Sequence, residues 1–295
     1  MAYAQTKFGE FLDAEIKKVK GVAVPVRSSL LRRIFVRRVS PARLHPNPED
    51  EFCDPAIGPN YEIISHYGEM IRAAKSDRQR DCFSERLTVE RIRPEGYMIL
   101  NGHHRWAAAV RNQVRRVPVR IVNLTRTEDI LDMLRKARHD KRVTLDLDEV
   151  VFCAGDGEPA DPAPVFLFRS IGRERIRLGV PALFRFLGFH GYDIWVYTAK
   201  PVSHDRLRLL FRLYRTEVCG IVTGTGKRNR TNPEAGEELN RQIAERYPET
   251  LHIDRKSVIR IDSRDKSFKE FPLSGDAADW SREVMETVER LEDHA

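Results

Sequence analysis

Residues 142–152, "RVTLDLDEVVF", decide how this chain reads. An apolar, β-branched run carries a buried strand, and acids follow it at Asp146, Asp148 and Glu149. Two aspartates with one residue between them at a strand end let one carboxylate attack an electrophile while its neighbour handles a proton. Working outward, "YDIWVYTAK" (192–200) is a second buried strand ending in Thr198, and "SVIRIDSRD" (257–265) a third ending in Asp262. Helical spacing marks "LGVPALFRFLGFHG", "SHDRLRLLFRLYRT" and "NPEAGEELNRQIAERY", and "VCGIVTGTG" reads as a strand and turn. Alternating strands and helices predict an α/β unit with a parallel, doubly wound sheet. In such sheets the ligand site lies beyond the carboxyl ends of the strands.

The first half has another rhythm. Residues 7–20 put Phe8, Phe11, Leu12 and Ile16 on one helical face. "RRIFVRRVSPARLHPNPED" (32–50) reads as a strand ended by prolines, and "NYEIISHYGEMIRAAKS" (60–76) as a helix. "RLTVERIRPEGYMILNG" (86–102) is a hairpin about Pro94-Glu95-Gly96, followed by a helix at 104–112 and the strand "VPVRIVNL". "RTEDILDMLRKARHDK" (126–141) is a helix, and the domain boundary is expected there, giving domains 1–138 and 139–295.

A length of 295 residues suits two domains, and 41% hydrophobic residues suffice for two cores. With 32% charged residues and a net charge of +7, the chain is basic and suited to phosphate-bearing partners: nucleotides, DNA or RNA. Cys53, Cys82, Cys153 and Cys219 are scattered without a Cys-x-x-Cys pair, which argues against a zinc knuckle or a disulfide framework. No stretch approaches the ~20 apolar residues of a membrane span, and the N-terminus lacks a signal-peptide pattern, so a cytoplasmic protein without membrane contact is expected.

The second half resembles the haloacid dehalogenase (HAD) phosphatase superfamily. "VTLDLDEVV" looks like its first motif, "IWVYTAK" its second and "IRIDSRD" its fourth, in the right order across residues 142–295. The resemblance implies a Rossmann-like fold and a Mg²⁺-dependent phosphohydrolase or phosphotransferase. Asp146 would be the nucleophile that forms an aspartyl-phosphate, Asp148 the general acid and base, and Thr198 a donor to the phosphoryl oxygens. Asp146, Asp148, Asp262 and Asp265 would hold Mg²⁺. The lysine of the third motif is Lys227 by preference, with Lys256 and Lys200 as alternatives. "VFLFRSIGRERIRLG" (165–179) fits a hairpin flap over an open site that admits a bulky phosphorylated substrate, such as a nucleic-acid end.

The first half resembles the ParB/sulfiredoxin fold, an α+β domain that includes free serine kinases. "VRRVSPARLHPNPED" (36–50) and "GYMILNGHHRWAAAVRNQVRRVPVRIV" (96–122) carry the likeness, over about residues 34–123. The Gly-x-x-Arg turn of that family implies a phosphate cradle made by Gly102, His103, His104 and Arg105, with ATP, ADP or CTP as candidate ligands. Glycine allows the tight turn, first-turn N–H groups attract an anion, and a guanidinium adds a charge-assisted fork. Trp106 reads as core. His103 stands where sulfiredoxins carry a cysteine, and Asn101 where the kinases carry an aspartate. Sulfinic-acid repair is thus disfavoured, and the kinase reading lacks its base. The expectation is a HAD-type phosphohydrolase fused to a nucleotide-binding domain. Its rival is a nucleotide- or nucleic-acid-binding regulator with a vestigial phosphatase site.

Overall fold

The computed structural model describes residues 7–77, 82–155, 157–162, 174–225, 233–265, 267–274 and 278–293. The chain is mixed α/β and divides into two compact units, Met1–Asn123 and Leu124–Ala295. This division precedes the boundary expected at 138/139. The helix Thr127–Arg135 belongs to the second unit, because its Met133 and Leu134 are buried there with Trp195, Val222 and Tyr247.

The first unit runs α1 (Lys7–Val19), β1 (Val24–Pro25), α2 (Leu30–Phe35), β2 (Arg38–Val39), β3 (Leu44–His45), α3 (Tyr61–Ser76), β4 (Leu87–Arg93), β5 (Tyr97–Asn101), α4 (His103–Arg111) and β6 (Val117–Val122). Its sheet has the order β2-β6-β4-β5-β3, with β1 paired to β4. β4 and β5 form the expected antiparallel hairpin, while β4 and β6 run parallel. The Asn60 side chain caps α3 by accepting from the N–H groups of Glu62 and Ile63. Ile64, Gly68 and Ile71 then bury one stripe at helical spacing. α4 packs against α3 closely, which explains its small residues: Ala107, Ala108 and Ala109 are wholly buried, and a Cβ at Gly68 would lie 3.3 Å from Asn112 Nδ2.

One expected strand is corrected here. Within 32–50 only Arg38–Val39 and Leu44–His45 are extended, and the segment opens in a helix, α2. Ser29 Oγ accepts from Arg32 N and starts that helix, and Pro41 opens a tight helical turn between the two short strands.

The second unit runs α5 (Thr127–Arg135), β7 (Lys141–Asp146), α6 (Val180–Phe189), β8 (Tyr192–Thr198), α7 (His204–Leu213), β9 (Gly220–Thr223), α8 (Pro233–Arg246), β10 (Glu249–Ile253), β11 (Ser257–Asp262), β12 (Ser267–Pro272) and α9 (Trp280–Glu292). The sheet order is β12-β11-β10-β7-β8-β9. β10, β7, β8 and β9 are parallel, and β11 and β12 extend the sheet antiparallel. Alternation divides the apolar side chains between two faces. Val143, Leu145, Ile194, Val196, Leu251 and Ile253 join one core with α6, α7 and α9. Trp195 and Val222 join the other with α5. The sequence pattern does not separate β10 from β11, and does not mark β12 or α9. No helix among the described residues is long and apolar enough to cross a membrane, and all four cysteines are free.

Candidate functional site

In the first unit, β5 hands over to α4 at Gly102. Its φ of +101° is left-handed, and a Cβ there would meet Leu87 Cγ at 3.0 Å and Arg105 Nε at 3.2 Å. The turn therefore requires glycine, as its sequence suggested. The side chains that follow point to protein partners. His103 is buried, its Nε2 accepts from Asn47 N at 3.2 Å, and its ring stacks on Phe52. An accepting Nε2 leaves the proton on Nδ1, which faces Asp50 Oδ1 at 3.4 Å. His104 Nε2 accepts from Asn60 N at 3.1 Å. Burial holds the His104 pKa below the usual imidazole value, against the pull of Asp50. Arg105 donates to Asn101 Oδ1 at 2.8 Å and to the Glu85 carbonyl at 3.0 Å, and pairs with the Glu85 carboxylate at 3.4 Å. These three side chains, expected to line a phosphate, pin the 47–60 segment and the strand end to α4. Trp106 is core, with its indole N–H bonded to the Pro41 carbonyl.

In the second unit, β7 ends at Asp146 and the chain enters a wide helical turn, Leu147–Val151. Asp146 Oδ1 caps that turn, accepting from Asp148 N at 2.7 Å and Glu149 N at 2.9 Å. Beside it, Thr198 Oγ1 donates to Asp148 Oδ2 at 2.6 Å, and Lys200 Nζ lies 2.7 Å from Asp148 Oδ1. The structure thus gathers Asp146, Asp148 and Thr198 at one end of the sheet. Of the three candidate lysines, Lys200 meets Asp148 and Lys256 is exposed in the β10–β11 turn. Lys227 lies outside the described residues, as does most of the 165–179 flap.

Asp262 and Asp265 are a correction. β11 runs antiparallel to β10, so Asp262 pairs with Glu249, and Glu249 pairs with Lys141 at the start of β7. Both acids therefore sit at the end of the sheet opposite Asp146. Asp262 instead caps its own turn, accepting from Arg264 N at 2.8 Å, and that bond holds its pKa below the usual carboxylate value. The acid at the correct end is Asp254. β10 is parallel to β7, Ile253 pairs with Leu145, and the residues that follow are Asp254, just past β10, and Asp146. Its signal was legible: "TLHID" alternates Leu251 and Ile253 inward and ends in an acid, like "VTLDLD". It was hidden because a tight turn, Asp254 N to Ser257 O at 2.9 Å, joins it directly to the longer β11 pattern.

Two arginines complete this end of the sheet. Arg177, 3% exposed, and Arg255 both donate to the Glu149 carbonyl, and both pair with Glu158. They anchor the turn that carries Asp148.

Carboxylates suit a hard divalent cation, but the set Asp146, Asp148, Asp262 and Asp265 does not converge. Among the described residues no group of three or more His, Cys, Asp or Glu side chains is disposed to hold a metal.

Compared with known families, residues 75–136 match the ParB N-terminal domain. The match spans the end of α3, the β4–β5 hairpin, the Gly102 turn, α4, β6 and α5, and points to nucleotide or nucleic-acid binding by this segment. No curated protein and no solved structure matches the chain.

Proposed function

We propose that the second unit is a phosphohydrolase of the haloacid dehalogenase type, coupled in one chain to a ParB-like unit that binds nucleotide or nucleic acid. The observation that carries this reading is the shared end of β7, β8 and β10, where Thr198 and Lys200 converge on Asp148, β7 ends in Asp146 and β10 runs into Asp254. Asp146 attacks the phosphorus of a phosphomonoester, the phosphorus–oxygen bond to the leaving group breaks, and an aspartyl-phosphate forms. Asp148 protonates the leaving oxygen and then takes a proton from the water that cleaves the acyl phosphate. Lys200 Nζ lies 2.7 Å from Asp148 Oδ1. Its ammonium is a charge that could pair with the phosphoryl oxygens of a bound substrate. The haloacid dehalogenase resemblance implies a divalent cation, but among the described residues no three acids are disposed to hold one, so no step of this reading runs through it. A bulky substrate, such as a phosphorylated nucleic-acid end, suits the ParB-like partner unit.

The test is a phosphate-release screen with Mg²⁺ over nucleotides, phosphorylated amino acids, and 5′- and 3′-phosphorylated DNA and RNA. Activity lost in Asp146→Asn and on chelation is expected; full activity in Asp146→Asn removes Asp146 from the mechanism. A second reading, a binding regulator with a vestigial site, draws support from Asp148, whose two oxygens are already engaged by Thr198 and Lys200. Absence of turnover on every substrate class favours it.

A further inference from the structure

The chain's positive charge is not evenly spread. Residues 1–123 carry 22 Lys and Arg against 14 Asp and Glu, whereas residues 124–295 carry 29 against 30. The excess therefore belongs to the first unit. There a groove of about 600 Å³ is lined by Arg38, Val114, Arg115 and Arg116. Three guanidiniums and one isopropyl group form its wall, with no acid among them.

The loop that presents two of these arginines is rigidly set. α4 closes with Gln113 in the left-handed region, φ +52°. Gln113 N bonds to Val110 O at 3.1 Å and Val114 N to Ala109 O at 2.9 Å, the paired bonds of a Schellman cap. Asn112 Nδ2 holds the Ala108 carbonyl at 2.8 Å, and Lys75 holds the Asn112 carbonyl at 3.0 Å. Arg115 and Arg116 follow at once, before β6 begins. Across the groove, Arg38 of edge strand β2 donates to the Arg116 carbonyl at 3.2 Å. Arg115 and Arg116 are exposed, and among the described residues their side chains make no hydrogen bond or ion pair. Other exposed arginines do find acids: Arg138 pairs with Glu217, and Arg241 with Glu238 and Glu245.

We infer that this groove seats the phosphodiester backbone of a polynucleotide. Arg115 and Arg116, side by side with no acid paired to them among the described residues, repel one another unless an anion joins them, and arginine's planar fork matches phosphate. The wall offers no aromatic platform for a base, so it reads backbone charge rather than sequence. The inference rests on the reading of the first unit as nucleotide- or nucleic-acid-binding, and concerns a surface separate from the Gly102 turn.

The experiment uses the full chain and fluorescence anisotropy with labelled single- and double-stranded DNA and with RNA, titrated at several salt concentrations. Calorimetry with ATP, ADP and CTP runs in parallel. In Arg115→Glu/Arg116→Glu, polynucleotide affinity should fall about tenfold or more, and the slope of log K against log salt should drop by about one per arginine. Arg115→Lys/Arg116→Lys should keep the salt slope, and circular dichroism should show all three proteins folded. Binding of DNA or of RNA with this loss supports the groove and identifies its source. Polynucleotide binding that is unchanged in the Glu variant overturns the groove and leaves the binding reading standing. Mononucleotide binding without polynucleotide binding does the same. A wild type that binds neither overturns both.

Discussion

Two strand ends in this chain look alike on paper and are used differently. At Asn101-Gly102-His103 and at Asp146-Leu147-Asp148, a strand gives way to a helical turn rich in polar side chains. In the first, His103 is 4% and Arg105 6% exposed, and each is spent on holding neighbouring backbone or side chains. In the second, Asp148 keeps a side chain 24% exposed and meets a lysine that is 67% exposed. Both ends are internally bonded, but only the second keeps its charged side chains within reach of solvent. The GHHR turn is mostly internal bonding; the DLD end still faces outward.

The strongest way to break this comparison is to exchange the two candidate acids. Asp254→Asn should reduce phosphate release on the order of 10²-fold or more, the usual scale for losing a charged group at a reacting centre. Asp262→Asn, at the opposite sheet end, should leave the rate within about twofold. Steady-state kinetics on any substrate found in the screen decides it. A damaging Asp262→Asn with a silent Asp254→Asn would overturn the strand-end argument and return the site to the sequence-order reading.

That pair also marks where the sequence was legible. Periodicity located nearly every helix and strand from α3 to β9, because each buries one continuous stripe or run. The hairpin at Pro94-Glu95-Gly96 and the glycine of the α4 turn were equally plain. Strand direction was not: "SVIRID" ends in an acid whether it runs with or against β7, and only pairing with β10 fixes its sense. Side-chain commitment was hidden for the same reason. Arg105 meets Glu85, twenty positions upstream, and His103 meets Asn47, 56 upstream. Such contacts leave no local spacing to read.

The next largest effect sharpens the internal role of the first turn. Arg105→Ala removes a buried side chain together with its bonds to the Asn101 side chain and the Glu85 carbonyl, which belong to exposed residues that water can resolvate. Losing those two bonds costs about 1–2 kcal/mol. Urea unfolding should show that loss without any ligand present. If stability is unchanged and only nucleotide affinity falls, Arg105 belongs to a ligand and the contrast between the two strand ends disappears.

A smaller effect is expected from pH. His104 has its pKa lowered by burial, so around pH 6 the unfolded chain binds more protons than the folded one. Stability contributed by neutral His104 is complete above the unfolded value and falls as pH drops through the lowered folded value. The urea midpoint of the first unit should therefore decline between about pH 7 and about pH 5. His104→Gln, whose amide oxygen can still accept from Asn60 N without titrating, should flatten that decline. Glu158 falls outside this window: the Ala154 N–H, then Arg255 and Arg177, hold it below the usual carboxylate value, so its contribution is lost only at more acid pH. An unaltered slope in His104→Gln would assign the pH response to another group.

The smallest effect compares the two ends of α4 itself. Both ends pass through left-handed backbone, at Gly102 with φ +101° and at Gln113 with φ +52°. The first end carries glycine, and a Cβ there would press on Leu87 and Arg105. The second carries a side chain that the Schellman cap tolerates at a conformational cost. Gln113→Gly should remove that cost and gain about 0.5–1 kcal/mol, less the entropy that glycine adds to the unfolded chain. Gly102→Ala should lose stability by a larger amount, because strain and contact act together. Differential scanning calorimetry of the two variants measures both signs. A gain at 113 with retained polynucleotide affinity would also show that the cap sets the arginine loop by geometry alone. A gain in stability accompanied by weaker binding would mean that the glutamine side chain itself helps to hold Arg115 and Arg116 toward their ligand.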